Sequence, residues 1–173
     1  VEKIYFDHNA TTNLNPKALS KMIEACDLPI NDSAIHGYGQ VGKKIILEAQ
    51  NALCELLNSQ LYRTIFTSCG SEANNQAIFA FDDCQIVTSA NEHDSILQPA
   101  QKRGCTIIKT TQEGLCDLID LEEKIAEIKG SFLVSLTFAN NETGILQDIT
   151  KAAKITHKYG GLLHCDLTQG VGK

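Results

Sequence analysis

Nowhere in these 173 residues is there an unbroken apolar run of the roughly 18 that a membrane-crossing helix needs. The amino end, Val1-Glu2-Lys3-Ile4-Tyr5-Phe6-Asp7, also lacks the apolar core of a secretory signal. No membrane association and a cytoplasmic location are therefore expected. Basic clusters are scarce too, none longer than a pair such as Lys43-Lys44, and the formal net charge is −6. Nucleic acid, whose binding rests on phosphate neutralisation, is not an expected partner. The seven cysteines form an odd set with no Cys-x-x-Cys spacing and no neighbouring histidine pair, which argues against a disulfide framework or a metal site. Most of them, such as Cys54 beside Leu53 and Leu56, read as core filler in a reducing compartment. Internal repeats, low-complexity tracts and charged linkers are missing as well.

What is present is an ordinary globular composition, 43% hydrophobic and 21% charged, in a chain long enough for one self-contained core. From residue 63 onward β-like runs alternate with helical patterns. Strands are expected at 63–67, 85–88, 105–109, 132–137 and 162–166, with helices at 71–81, 95–103 and 148–159 between them. A further helix is predicted by Leu118, Leu121, Ile125 and Ile128, with Asp120 and Glu123 as a capping box at its start. This alternation implies an α/β fold, a mostly parallel sheet with helices on both faces, whose ligand lies beyond the carboxyl ends of the strands. Residues 1–60 differ: an extended start, a helix around 16–26, a glycine-containing loop and a helix around 43–57. Two parts follow, 1–60 and an α/β domain over 61–173.

Within the first part, Gly37-Tyr38-Gly39-Gln40-Val41-Gly42 has the form G-x-G-x-x-G. A dinucleotide turn needs an apolar strand before it and an acidic residue about 20 positions on at a second strand. Asn31 to His36 is instead a polar loop and Glu55 falls inside a helical pattern, so that reading is disfavoured. A better anion site is Thr67-Ser68-Cys69-Gly70-Ser71-Glu72-Ala73-Asn74-Asn75, where Gly70 permits a tight turn and Ser71 opens a helix whose free N–H groups could meet a phosphate. Taken alone, Ser71 reads more readily as a plain helix cap. Polar groups also follow the later strands: Asn91-Glu92-His93, Asn140-Asn141-Glu142-Thr143-Gly144 and Asp166-Leu167-Thr168-Gln169. Each has a bland reading, a structural histidine or a turn cap, but four such loops on one sheet edge favour a ligand site. The chemistry that suits them is pyridoxal 5'-phosphate catalysis, in which a carboxylate such as Asp166 keeps the cofactor's ring nitrogen protonated.

The segments Tyr5-Phe6-Asp7-His8-Asn9-Ala10-Thr11-Thr12, Phe66 to Asn75, Glu92-His93, Asn140 to Gly144 and His164 to Lys173 resemble, in order and over nearly the whole chain, those of cysteine desulfurases. These are class V aminotransferase relatives of pyridoxal-phosphate fold type I. The resemblance implies that residues 61–173 are the incomplete cofactor-binding large domain of that architecture. It implies that Gly70 and Ser71 bind the cofactor phosphate, and that His93 stacks on the ring and moves protons as the catalytic residue. Asn141 and Gln169 would contact the phenolic oxygen and Asp166 the pyridine nitrogen. It also implies L-cysteine as substrate, alanine and an enzyme persulfide as products, a sulfur-acceptor protein in iron-sulfur or thiolation pathways, and a homodimer when complete. Departures are Ser71 where threonine is usual, Cys69 where glycine is usual, and no proline in Asn31-Asp32-Ser33.

The family's cofactor-anchoring lysine, its mobile-loop cysteine and its substrate-binding arginine would all come after residue 173. With no initiating methionine either, the expectation is an excerpt, a split-gene product or a remnant, inactive alone. The alternatives are another class V enzyme, a selenocysteine lyase or an aminotransferase, and a non-catalytic binding protein.

Overall fold

A computed structural model of the chain describes residues 3–59 and 63–172. The boundary expected between residues 60 and 61, and Lys173, lie outside the described residues. Contacts divide the chain into two compact units, Val1–Phe66 and Thr67–Lys173. No helix among the described residues is long and apolar enough to cross a membrane.

In the first unit α1 (Pro16–Cys26) starts where Asn15 accepts the Lys17 N–H and Pro16 pre-sets the first helical φ. The second helix, α2 (Gly37–Leu56), starts earlier than its apolar pattern suggests, with His36 as N-cap accepting from Gly39 N. The segment expected as a glycine loop is thus the first turns of a helix. Two of its glycines allow close packing: a Cβ on Gly39 would lie 2.0 Å from the Ala34 carbonyl oxygen, and one on Gly42 3.3 Å from Asp32 N. The expected strand at 63–67 does not form. Its residues have β propensity, but among the described residues no ladder partner is aligned with them, and Ile65 and Phe66 remain exposed.

The second unit is built on four parallel strands, β1 (Gln85–Ser89), β2 (Thr106–Ile108), β3 (Phe132–Thr137) and β4 (Leu162–Asp166), in the order β2-β1-β3-β4. Four helices accompany them: α3 (Gly70–Phe79), α4 (Asp94–Lys102), α5 (Leu118–Ala126) and α6 (Ile149–Lys158). Strand alternation sends Ile86 and Leu133 to one face, where they meet Ile78 of α3 with Ile96 and Ala100 of α4. Val87 and Val134 go to the other, against Leu121 and Ile125 of α5 and Ala152 of α6. Helices on both faces of a parallel sheet, as expected from the alternation, are what the fold contains.

The chain moves from β1 out to β2 through α4, then crosses back through α5 on the opposite face to β3 and on through α6 to β4. Direction across the sheet therefore reverses between β1 and β3, which is where doubly wound sheets open a crevice beyond their carboxyl ends. Helix α5 is capped three residues earlier than expected: Asp117 accepts from Ile119 N and Asp120 N. Asp120 instead turns inward, where it takes Lys109 N at 2.8 Å and Lys124 Nζ at 2.7 Å. All seven cysteines are free thiols, but only Cys116 is fully buried, while Cys26 and Cys69 are exposed. The expectation that most fill the core is corrected, because helix ends and strand edges leave the others partly open.

Candidate active site

Each strand end at the reversal delivers a polar group. At the end of β1, Ser89 Oγ donates to Glu92 Oε1 at 2.7 Å. Across the crevice Glu92 Oε2 takes Thr137 N at 2.8 Å, so one buried carboxylate ties β1 to β3. Burial pushes the Glu92 carboxyl up, partly offset by the Thr137 and Ser89 donors. The loops beyond are joined as well, since Asn140 Nδ2 donates to Asn91 O at 3.0 Å while Asn140 Oδ1 takes Glu142 N and Thr143 N. In the β3–β4 register Thr137 lies opposite Asp166, and Phe138 N continues the pairing to Asp166 O at 2.9 Å.

Asp166 is the charged centre of this edge. Its Oδ1 accepts Thr168 N at 2.8 Å and its Oδ2 accepts Asn74 Nδ2 at 2.8 Å. Burial works to raise its carboxyl, but Thr168 and Asn74 outweigh that and hold it below the ordinary value, so it is a carboxylate at neutral pH. Asn74, buried on α3, also donates to Ser95 Oγ at 2.9 Å, and Ser95 Oγ lies 2.8 Å from His93 Nδ1. Three hydrogen bonds in series therefore connect Asp166 to His93.

The start of α3 adjoins the same group, for a Cβ on Gly70 would come within 3.3 Å of Thr168 Oγ1. Its N-cap residue, Cys69, makes no side-chain hydrogen bond to the first turn, whereas Asn15, His36, His93, Asp117 and Asp148 each cap their helix. Among the described helices α3 is the one whose N-cap side chain makes no hydrogen bond to the first turn, which leaves N–H groups there that can face an anion. Glu72 is turned back onto Ser68 N and Oγ, at 2.7 and 2.6 Å. The nearby Glu72 N–H and the Ser68 hydroxyl hold the Cys69 thiol below its usual range. Cys165, beside Asp166, is pushed up to about 11 by burial and is a neutral thiol at physiological pH.

Of the six residues read from the sequence, Gly70, His93 and Asp166 are drawn together through Thr168, Asn74 and Ser95. Ser71 is exposed on the first turn of α3, and its carbonyl accepts Asn75 Nδ2 at 2.7 Å. Asn141 and Gln169 are half-buried in the loops after β3 and β4. Those loops pack together, since a Cβ on Gly170 would meet the Phe138 ring at 2.6 Å. These residues suit a pyridoxal phosphate: an open helix N-terminus that could take the phosphate, an ionised carboxylate that could face the ring nitrogen, and an imidazole at the far end of the network from that carboxylate.

The sequence profile of the Aminotransferase class-V family matches residues 4–173. The chain belongs to that family. A cysteine desulfurase IscS of Buchnera aphidicola subsp. Schizaphis graminum is 36% identical over 98% of the chain and 45% of its own length. A cysteine desulfurase of Cereibacter sphaeroides is 35% identical over 100% of the chain and 48% of its own length. Among solved structures, a NifS-like protein from Rickettsia africae superposes with a TM-score of 0.93 at 38% identity, covering 99% of this chain and 49% of that one. This class V member spans about half the length of the curated relatives it matches.

Three residues of the network were not singled out by sequence reading. Asn74 and Thr168 fall within the motif segments with no pattern that gives them a role, and Ser95 has the sequence of an ordinary first-turn residue. A faint signal existed for Asn74, which falls one helical turn beyond Gly70 and Ser71 and so shares their end of α3. Glu92 stands in the sequence as the neighbour of His93, and nothing in its local pattern marks it as the clamp between β1 and β3.

Proposed function

We propose that this class V chain is part of a pyridoxal-phosphate-dependent cysteine desulfurase, which removes sulfur from L-cysteine to give alanine and passes it to an enzyme cysteine and then to a sulfur-acceptor protein. The observation that carries the reading is the hydrogen-bonded group of Asp166, Asn74, Ser95 and His93 beside the uncapped N-terminus of α3. The cysteine desulfurases among its relatives supply the substrate. A homodimer in the cytoplasm belongs to the same proposal.

In it, the N–H groups at Gly70 and Ser71 and the Ser71 hydroxyl bind the cofactor phosphate. Asp166 meets the pyridine nitrogen, where its carboxylate charge favours the protonated ring. His93 lies against the ring face and holds or moves a proton at its free ring nitrogen, while Asn141 and Gln169 donate to the phenolic oxygen. When bound, the cofactor supplies an electron sink for the substrate's bond-breaking steps.

Binding of pyridoxal phosphate to the chain, followed by equilibrium dialysis with absorbance detection, tests this. Saturable binding, weakened at least about tenfold by Asp166→Ala and competed by inorganic phosphate, is expected from loss of one charged contact. Binding that is unsaturable, or equal in Asp166→Ala, would overturn it.

A further inference from the structure

The direction of every hydrogen bond between Asp166 and His93 can be assigned. Asp166 is ionised and can only accept, so the Asn74 atom 2.8 Å from Oδ2 is the amide nitrogen. The same nitrogen has a second hydrogen, which goes to Ser95 Oγ at 2.9 Å. Ser95 N donates to His93 Nδ1 at 3.1 Å, so Nδ1 is the bare nitrogen and the proton of the neutral ring sits on Nε2. Ser95 Oγ, 2.8 Å from that same Nδ1 and already accepting from Asn74, has its own hydrogen left to donate there.

We infer that Asn74 and Ser95 are positioning residues, which turn His93 Nδ1 into the protein, present an N–H at Nε2 to the ligand, and fix that orientation to the Asp166 carboxylate. The inference rests on the proposed function for its purpose but not for its geometry. Asn74 is suited to the junction because one amide nitrogen carries two hydrogens and no titratable proton, so the junction itself does not titrate. Its consequence is chemical: neutral His93 meets a bound ring or substrate as a hydrogen-bond donor. Nε2 already carries its hydrogen, so a further proton could enter the ring only at Nδ1, which would set an N–H against the Ser95 N–H.

Long-range proton–nitrogen spectra of the imidazoles in the ¹⁵N-labelled 173-residue chain, without cofactor, test the assignment. At about pH 9, well above the ordinary imidazole value of about 6.5, the rings are neutral and their tautomers separate. His93 is expected as the Nε2–H form in about tenfold or greater excess, the ratio one net hydrogen bond supports. Ser95→Ala and Asn74→Ala should each lower that excess several-fold, and Ser95→Thr should restore it, while the exposed His157 stays constant throughout. A wild-type His93 protonated on Nδ1 would overturn the proposal. So would an unchanged ratio in either alanine variant whose amide spectrum remains dispersed. Because no cofactor is present, a fixed tautomer combined with failure to bind pyridoxal phosphate would count against the proposed function alone.

Discussion

Removing the Asn74 side chain should cost the second unit far more than a surface asparagine would. Asn74 is 4% exposed and Asp166 9%, so the bond between them is screened from water at both ends. A hydrogen bond to a buried charged group contributes about 1.5–3 kcal/mol net, and stripping one partner also leaves the carboxylate less compensated. Asn74→Ala should therefore lose about 2–4 kcal/mol by those same terms. A cycle of Asn74→Ala, Asp166→Ala and the double variant isolates the pair, with an expected coupling of about 1.5–3 kcal/mol. The assay is urea unfolding at pH 7, read by circular dichroism and by resolved amide signals of β3 and β4, so that only the unit bearing the site is counted. The pH dependence sharpens it. Asp166 has its carboxyl lowered from 3.8 in the folded chain, so its contribution is complete above that unfolded value and is lost only as pH falls through the lower folded one. The coupling must accordingly be undiminished at about pH 5, which is still above the ordinary aspartate range. A coupling under about 0.5 kcal/mol at pH 7, the size of an exposed pair, or one that halves by pH 5, would refute the reasoning.

Two further perturbations probe the frame around the site. A Cβ on Gly161 would fall 2.1 Å from Cε2 of Phe132, a ring only 2% exposed and packed in the α5/α6 core, so Gly161→Ala should cost about 3 kcal/mol. Phe132→Leu in the same chain should recover part of it, and an unfolding midpoint unmoved by Gly161→Ala alone would contradict the packing. Glu92 has its carboxyl raised above 4.5 by burial, so its ionisation costs stability above the folded value, a cost relieved as pH falls through that value toward the unfolded one. Glu92→Gln abolishes the titration while keeping an oxygen for Thr137 N, so any stability it gains over wild type should be larger at pH 7 than at pH 5. The opposite trend in urea midpoints would show that the Thr137 and Ser89 donors, not desolvation, dominate.

Periodicity carried the second unit well because both its faces are covered. Runs such as Phe132 to Leu136 are buried at every position, and the helices between them bury a single stripe, so apolar pattern and local state agree. The pattern failed where the deciding interaction is non-local or non-apolar. Helix α2 begins six residues ahead of Lys43, and the apolar pattern does not mark its start because Gly37, Gly39 and Gly42 contribute no apolar stripe; Gly39 and Gly42 instead let residues 30–34 come close. The run at 63–67 has the composition of a strand, yet a strand is defined by its neighbour, and composition does not name one.

The same distinction explains which parts of the candidate site could be read. His93 and Asp166 are conspicuous by residue type at strand ends, where α/β sheets keep ligands. Asn74, Ser95 and Glu92 are polar residues of common types whose importance arises only when folding removes water from them. Asn74 and Asp166 lie 92 positions apart in sequence, and Glu92 and Thr137 lie 45 apart. No spacing rule reaches across such distances. Once the sheet forms, burial makes an unpaired amide or carboxylate costly, so each must find a partner, and the partners available at this edge are the residues that orient His93 and Asp166. The hydrogen bonds that satisfy the buried polar groups at this edge, Asn74, Glu92 and Asp166, are thus the ones that set the geometry of the candidate site. Stability of that unit and the orientation of its charged groups should therefore fail together when Asn74 is removed, whereas Gly161→Ala should destabilise the core while leaving the His93 tautomer unchanged.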